Sequence, residues 1–256
     1  MSALAISAIV FAVVLGGAWL GALIGRALPK HHLSEESRDV IKVGVGFLAT
    51  LAALVLGLLI ASAKNSFDTR SEEIHQVASK IILIDRNLRQ CGVAADPARE
   101  MMRRMLTAKV DLTWVKGEIS AAKSGANAGA PPILGIEEFQ DLIRALSPTS
   151  DAQGLLKTRI LQLGEDIAQT RWLLIEQTGS SIPMPFLVVL VLWLAVIAGG
   201  LSLFAPRNAT VTAVSVICAL SFASAIFLIL ELDRPFEGLL RISDAPLRNA
   251  LAYVNR

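Results

Sequence analysis

Four long stretches of this chain contain no Asp, Glu, Lys or Arg. They are residues 1–25, 43–63, 177–206 and 208–230, which hold 99 of the 256 residues, and the 46 charged residues all lie in the remaining 157. A helix needs about 20 apolar residues to cross the ~30 Å hydrocarbon core of a membrane, and buried helices of soluble proteins are shorter or amphipathic. The pattern predicts an integral membrane protein with four spans and rules out an ordinary soluble domain.

Net charge and cysteine spacing argue against several other classes of protein. The formal net charge of +2 is too small to indicate a nucleic-acid partner. Cys91 and Cys218 lie far apart without CxxC or Cys/His spacing, so neither predicts a disulfide or a metal site. A cleaved signal peptide is the alternative interpretation of the N-terminus, but the first residues lack a basic region and the apolar run is longer than usual.

The polar segment between the second and third spans is too long for a loop. It contains helix-periodic apolar residues, a Gly92 stop signal, an Asp96–Pro97 start signal, and a run of small residues, Gly and Pro at about 121–135. We therefore predict an all-α protein in four parts. Residues 1–63 form the first membrane helix pair, 64–181 a cytosolic helical bundle with a flexible loop at about 121–135, 182–230 the second membrane pair, and 231–256 a cytosolic C-terminal tail.

No proline or other stop signal separates Val43 from Gln90. The second span is therefore predicted to continue beyond the membrane as one helix of about 48 residues and roughly 70 Å. Such a helix would be a rigid strut between the membrane and the polar bundle.

The first span carries glycines at four-residue spacing. Gly17, Gly21 and Gly25 form a smooth ridge, and close backbone approach through small residues is a main source of attraction between membrane helices. The ridge predicts helix packing. The alternative is that glycine is simply common in membrane helices.

Two further segments resemble a known family. LPKHHLSEESRDVIKVGVGFLATLAALVLGLLIASAKNSFD near the N-terminus and ELDRPFEGLLRISDAPLRNAL at the C-terminus resemble a bacterial family of bestrophin-like domains whose function is unknown. That family is distantly similar to bestrophins, which are homopentameric anion or cation channels with four spans per subunit and a cytosolic helical region. The resemblance covers essentially the whole chain and implies a homo-oligomer, with a pentamer as the first expectation.

The resemblance also implies a pore-lining surface. Gly46, Phe47, Thr50 and Leu51 look like the GFxxTL portion of the bestrophin second span, next to the narrow apolar neck. Carried over, this motif implies a lining made of Val43, Phe47, Thr50, Leu54 and Leu58. At 100° per residue these five positions fall within a sector of about 80°, and a small-residue face suited to helix packing adjoins them: Gly46, Ala49, Ala53 and Gly57. The alternative is that Phe47, Leu54 and Leu58 face lipid.

The second motif departs from bestrophins where they bind calcium. Glu231, Pro235, Phe236 and Gly238 look like the segment that opens the calcium clasp, but the run of carboxylates that should follow is missing and only Asp244 is near. Because calcium needs six to eight oxygen ligands, several of them anionic, no calcium site is predicted.

Other candidates for site chemistry are weak. Glu72 and His75 form an ExxH pair, but di-metal sites need a second pair on a facing helix. His31 and His32 are candidates for a pH sensor, against the simpler interpretation of exposed loop histidines. The sequence contains no GxSxG, HExxH or phosphate-loop motif. We predict no catalytic residues, no metal, no cofactor and no enzymatic activity.

Two hypotheses for function follow. The first is a homo-oligomeric channel in the lipid bilayer that passes small ions passively, with the second span as the conduit and an apolar neck that gates by dewetting. The second is a non-conducting, membrane-anchored scaffold or signalling protein whose bundle binds a protein partner. Near the span ends, five Lys and Arg residues lie on the side of the membrane that holds the connection between the first two spans (residues 26–42), and seven lie on the other side. Because positive residues concentrate on the cytoplasmic side, this difference favours cytoplasmic termini and a cytoplasmic bundle in a bacterial inner (plasma) membrane.

Overall fold

The computed structural model describes residues 2–29, 34–110, 136–176, 184–206, 208–233 and 239–255. Within these ranges the regular structure is entirely helical. The α-helices in chain order, with a single 3₁₀ turn at Val93–Ala95 between the second and third, are α1 (Ala3–Ala27), α2 (Glu35–Gln90), α3 (Asp96–Val110), α4 (Ile136–Ala145), α5 (Asp151–Glu176), α6 (Met184–Leu203), α7 (Ala209–Leu232) and α8 (Ala245–Val254).

Helices α1, α2, α6 and α7 are long and apolar enough to cross a membrane. The predicted four-span, all-α class is therefore confirmed. The predicted flexible loop at about 121–135 and the histidines at positions 31 and 32 lie outside the described residues.

Helix α2 is one uninterrupted helix of 56 residues, roughly 84 Å long. It begins at Glu35, eight residues before the charge-free stretch at Val43, and the Ser34 hydroxyl accepts a hydrogen bond from the Ser37 N–H (3.3 Å) and caps the first turn. After Gln90 the backbone leaves the helix at Gly92, whose φ of 79° lies in the left-handed region that favours glycine. The predicted stop at Gly92 therefore has a local cause.

The chain divides into two compact units, Met1–Ser66 with Ser180–Asp233, and Phe67–Gly179 with Arg234–Arg256. In the first unit α1 packs against α6 and α7. The side chains that share its core recur at intervals of three, four or seven residues along each helix: Val10 and Val14 from α1; Ala52, Leu59 and Ala63 from α2; Leu187, Leu190, Leu194 and Ile197 from α6; Ala219, Ile226 and Ile229 from α7. This spacing is the one-face signature of helix packing.

The second unit has its own hydrophobic core. The fully or nearly fully buried side chains come from every helix in it: Ile84 and Leu88 of α2; Met102 and Leu106 of α3; Phe139 and Ile143 of α4; Ile160 and Leu163 of α5; Leu247, Ala250 and Val254 of α8. The Lys157 ammonium of α5 donates to the carbonyls of Arg144 (2.6 Å) and Leu146 (2.7 Å), and so satisfies acceptors at the C-terminal end of α4.

Candidate functional site

The residues implied as a pore lining form one exposed surface on α2, which we call the α2 outer face. It consists of Val43, Phe47, Thr50, Leu54 and Leu58. The four apolar members are 73%, 67%, 62% and 63% exposed, in that order, and Thr50 is also exposed. No helix of the described chain covers this surface, although it is made mostly of large apolar side chains.

The opposite side of the same helix is packed. Ala52, Leu59 and Ala63 are 3%, 9% and 0% exposed and belong to the core of the first unit. At 100° per residue their mean direction lies about 160° around the helix from the α2 outer face. The packing of the single chain therefore fixes the α2 outer face away from its own bundle.

Helix α2 is also the least covered of the four candidate spans. In its most apolar window 11% of the residues are buried, whereas the windows of α1, α6 and α7 are 22–28% buried. Because its window is as apolar as the others, α2 has the largest uncovered share of the four candidate spans among the described residues.

Thr50 does not make the α2 outer face strongly polar. Its hydroxyl donates to the carbonyl of Gly46, one turn earlier, over 2.9 Å. This back-bond uses the only donor proton of the side chain inside the helix. The other four residues of the α2 outer face have hydrocarbon side chains, so the surface as a whole is hydrophobic.

The predicted small-residue face of α2 flanks the outer face. Gly46, Ala53 and Gly57 are exposed and Ala49 is half-buried. A Cβ built on Gly46 or Gly57 meets no heavy atom within 4 Å. Among the described residues, no helix lies close to Gly46 or Gly57, whereas Ala49 packs against the core of the first unit.

The glycine ridge of α1 has a different environment. A Cβ on Gly17, Gly21 or Gly25 would lie 2.5, 2.0 or 2.4 Å from the backbone oxygen of a residue of α6, namely Ala195, Gly199 or Leu203. The ridge is thus occupied by α6 of the same chain. The sequence predicted that the ridge packs against a helix, but it could not identify which helix.

The residues of the C-terminal motif are only partly described. Glu231 is 6% exposed at the end of α7, and Pro235, Phe236 and Gly238 lie outside the described residues. Asp244 precedes α8 and forms a salt bridge with Arg248. Among the described residues, no three His, Cys, Asp or Glu side chains converge to hold a metal ion. Glu72 accepts a hydrogen bond from Gln76 on the same exposed side of α2 (3.4 Å).

The structure brings together one charged cluster that sequence reasoning missed. Asp85 of α2 is fully buried, and its two carboxylate oxygens accept from Arg89 Nε (2.7 Å) and Arg99 Nε (2.9 Å). Arg89 also donates to the carbonyl of Tyr253 (3.3 Å) and lies over its ring. The cluster ties α2 to α3 and to the C-terminal end of α8. In the sequence these are three charged residues of the kind usually found on a protein surface, so nothing marked them as a buried cluster.

Comparison with known proteins decides the family. The family model described as the Bestrophin-like domain matches residues 8–247. The chain belongs to the Bestrophin-like domain family. The resemblance seen in the two sequence segments is thereby confirmed, and this family member is an integral membrane protein.

Solved structures agree with the family assignment. Three variants of a bacterial bestrophin homologue from Klebsiella pneumoniae share the fold. The first has a TM-score of 0.64 and 14% identity, and the match covers 96% of this chain and 97% of the other. The others have TM-scores of 0.62 and 0.59, identities of 16% and 17%, and coverage of 96% and 95% of this chain and 99% of each of theirs. Identities this low establish the fold and nothing finer. No match was found among curated proteins.

Proposed function

We propose that this Bestrophin-like protein is a homo-oligomeric channel that passes small ions passively, with α2 from each subunit lining an apolar neck. The observation that carries the proposal is the α2 outer face, an exposed stripe of large apolar side chains on a helix whose other side is packed in its own subunit. A closed ring of such stripes encloses a narrow, water-repelling passage. A passage of this kind gates by dewetting and needs no charged ring in the neck.

The small-residue flank of α2 supports assembly. Gly46 and Gly57 have open space around them in a single subunit. Membrane helices associate through small residues that let backbones approach closely, because lipid offers no hydrophobic drive. We place a neighbouring subunit against this flank and, from the family resemblance, propose a pentamer. We also propose cytoplasmic termini in a bacterial inner membrane, and no catalytic role.

A lipid-facing role is the competing explanation of the α2 outer face. The other spans already provide lipid-facing residues of the same kind, such as Phe186 and Leu192 of α6 and Ile217 of α7, which are 57%, 59% and 63% exposed. They lack the adjoining pair of open glycines. This difference makes Phe186 a matched control for Phe47, since both are exposed phenylalanines on candidate spans.

The test is an ion-flux assay on the full-length protein in liposomes. Phe47→Ala removes a ring of bulky side chains from the neck and is expected to change flux several-fold, whereas Phe186→Ala should leave it within about twofold. Flux equal to that of protein-free vesicles would refute conduction. Equal effects of the two substitutions would show that α2 does not line the path.

Assembly is tested separately by native mass spectrometry of the detergent-solubilised protein. A homo-oligomer is expected, and Gly57→Ala should weaken it, whereas Gly16→Ala should not, since Gly16 also has open space in the subunit but lies on α1. A monomer would contradict the proposal, because four spans leave no room for a central conduit. A stable oligomer without flux would instead favour the non-conducting scaffold that binds a protein partner.

A further inference from the structure

A basic pocket lies between the start of α2 and the end of α6. It has a volume of about 220 Å³. Its walls are Arg38, Lys42 and Val45 from α2, and Gly200, Leu201, Phe204 and Ala205 from α6 and the turn after it. All of these residues belong to the first compact unit. We call this cavity the α2–α6 pocket.

The charges around the α2–α6 pocket are segregated. The first two turns of α2 contain three carboxylates and two cations, but only the cations, Arg38 and Lys42, line the pocket. At 100° per residue Arg38, Lys42 and Val45 fall within about 60° of one another, and Glu36 points roughly 120° or more away from that sector. Asp39 lies about 60° and Glu35 about 20° around the helix from Lys42, but neither carboxylate lines the pocket. The pocket is therefore electropositive although the surrounding segment is close to neutral.

Arg38 is held in place without a carboxylate. Its guanidinium lies 5.3 Å from the centre of the Phe204 ring, a cation–π contact, and among the described residues it forms no ion pair. Lys42 is 3.5 Å from Asp39, but both side chains are well exposed, at 61% and 75%. An exposed pair of this kind contributes little. Both cations are thus available to a stronger anion.

The α2–α6 pocket lies at the level where the membrane is expected to end. The charge-free stretch of α2 begins at Val43, directly after Lys42, and α6 ends at Leu203. Gly200 contributes no side chain, and a Cβ there would lie 2.5 Å from Val45 Cγ2, so the glycine keeps this wall of the pocket free. Polar and apolar walls therefore meet at the boundary between hydrocarbon and water.

We propose that the α2–α6 pocket binds the phosphate headgroup of an anionic phospholipid. A guanidinium and an ammonium side by side match the oxygens of a phosphodiester, which accept charge-assisted hydrogen bonds from both. Val45 and Leu201 give the glycerol and upper acyl carbons an apolar surface. Basic pockets between membrane helices bind anionic lipid headgroups on the cytoplasmic side of membranes. With the cytoplasmic termini proposed above, the α2–α6 pocket would take its lipid from the opposite, outer leaflet. The proposal does not depend on conduction.

A purely structural role for the two cations is the alternative. Arg38 and Lys42 lie near the C-terminal end of α6, whose unpaired carbonyls favour positive charge. A cation that only complements a helix end has no reason to prefer one lipid over another. Lipid binding therefore separates the two roles.

The experiment measures lipid binding to the purified full-length protein by native mass spectrometry, with phosphatidylglycerol and phosphatidylcholine as probes. The wild-type protein is expected to bind phosphatidylglycerol preferentially. The double variant Arg38→Gln/Lys42→Gln should bind it about 25-fold more weakly, or about five-fold for each cation. Arg26→Gln is the charge-matched control, because Arg26 lies at the end of α1 and does not line the pocket.

Three results would overturn the proposal. The first is equal binding of the two lipids by wild-type protein. The second is equal weakening by Arg26→Gln, which indicates attraction to the whole surface. The third is full displacement of the lipid by millimolar inorganic phosphate, which indicates a site for free phosphate. Ala205→Trp keeps both cations but fills the pocket, and undiminished phosphatidylglycerol binding by this variant would place the lipid elsewhere.

Discussion

Gly21→Ala is the substitution for which the structure gives the clearest magnitude. An added Cβ would lie 2.0 Å from the carbonyl oxygen of Gly199. Non-bonded heavy atoms settle at roughly 3.5 Å, so α1 and α6 would have to separate locally by about 1.5 Å. The contacting atom is backbone and cannot rotate away. Overpacking of this kind costs about 1–3 kcal/mol.

Gly16→Ala is the matched control for this prediction. It adds the same methyl group to the same helix, where no heavy atom lies within 4 Å. Both changes alter backbone entropy equally, so the difference between them isolates the contact with α6. For a chain of this size we expect Gly21→Ala to melt roughly 4–8 °C below Gly16→Ala, from about 2 kcal/mol at 2–4 °C per kcal/mol.

The assay is thermal unfolding of both variants in the same detergent, followed by circular dichroism. Equal Tm values would refute the close approach of α1 and α6. A lower Tm for Gly16→Ala than for Gly21→Ala would mean that the close contact lies on the Gly16 side of α1 and not at the ridge.

The remaining predictions concern charge and reactivity. Asp85→Asn weakens the hydrogen bonds from two guanidiniums whose side chains are 37% and 20% exposed, and should lower the free energy of unfolding by about 1–3 kcal/mol. Asp141→Asn, in an exposed pair, should cost less than about 1 kcal/mol. Similar denaturant midpoints would contradict the buried cluster. Glu36 lies in helical register with the α2 outer face, so Glu36→Gln should lower the cation-to-anion permeability ratio more than Glu35→Gln, measured by reversal potentials in planar bilayers. Equal ratios in the two variants would remove Glu36 from the conduction path. Burial raises the pKa of the Cys91 thiol, so less thiolate is present at pH 8. Maleimide labelling of Cys91 should therefore be slower than that of free cysteine, and its rate should continue to rise above pH 9. Labelling at the rate of free cysteine would contradict the burial of this thiol.

The existence of the spans could be predicted because it depends on local composition. A helix that crosses a membrane is recognised by the absence of charge over about 20 residues. The α2 outer face was implied by the family resemblance, and helical geometry supports its grouping on one side of the helix. The prediction that Gly92 ends α2 was also local, since the backbone there adopts a positive φ. Each of these features is encoded within a few turns of chain.

The partners of these surfaces could not be predicted from the sequence. Gly21 meets Gly199, and Arg38 meets Phe204, across more than 160 residues of sequence in each case. Nothing in either residue specifies the other. Asp85 is an extreme case, because its burial depends on two arginines and on packing that only the assembled unit provides. The spans are local properties, whereas the α2–α6 pocket and the buried cluster depend on tertiary packing.

The pairing of α1 with α6 has a consequence for synthesis. After Ala27, the last residue of α1, the ribosome must add about 175 more residues to reach Leu203, the last residue of α6. This synthesis takes roughly 9–35 s at typical rates of elongation. Throughout that interval the glycine ridge of α1 lies in the bilayer without its intended neighbour. Nascent chains on one polysome then expose identical ridges side by side. Premature pairing of two such ridges is the assembly error that this order of synthesis permits, and α6 prevents it once it has packed against α1.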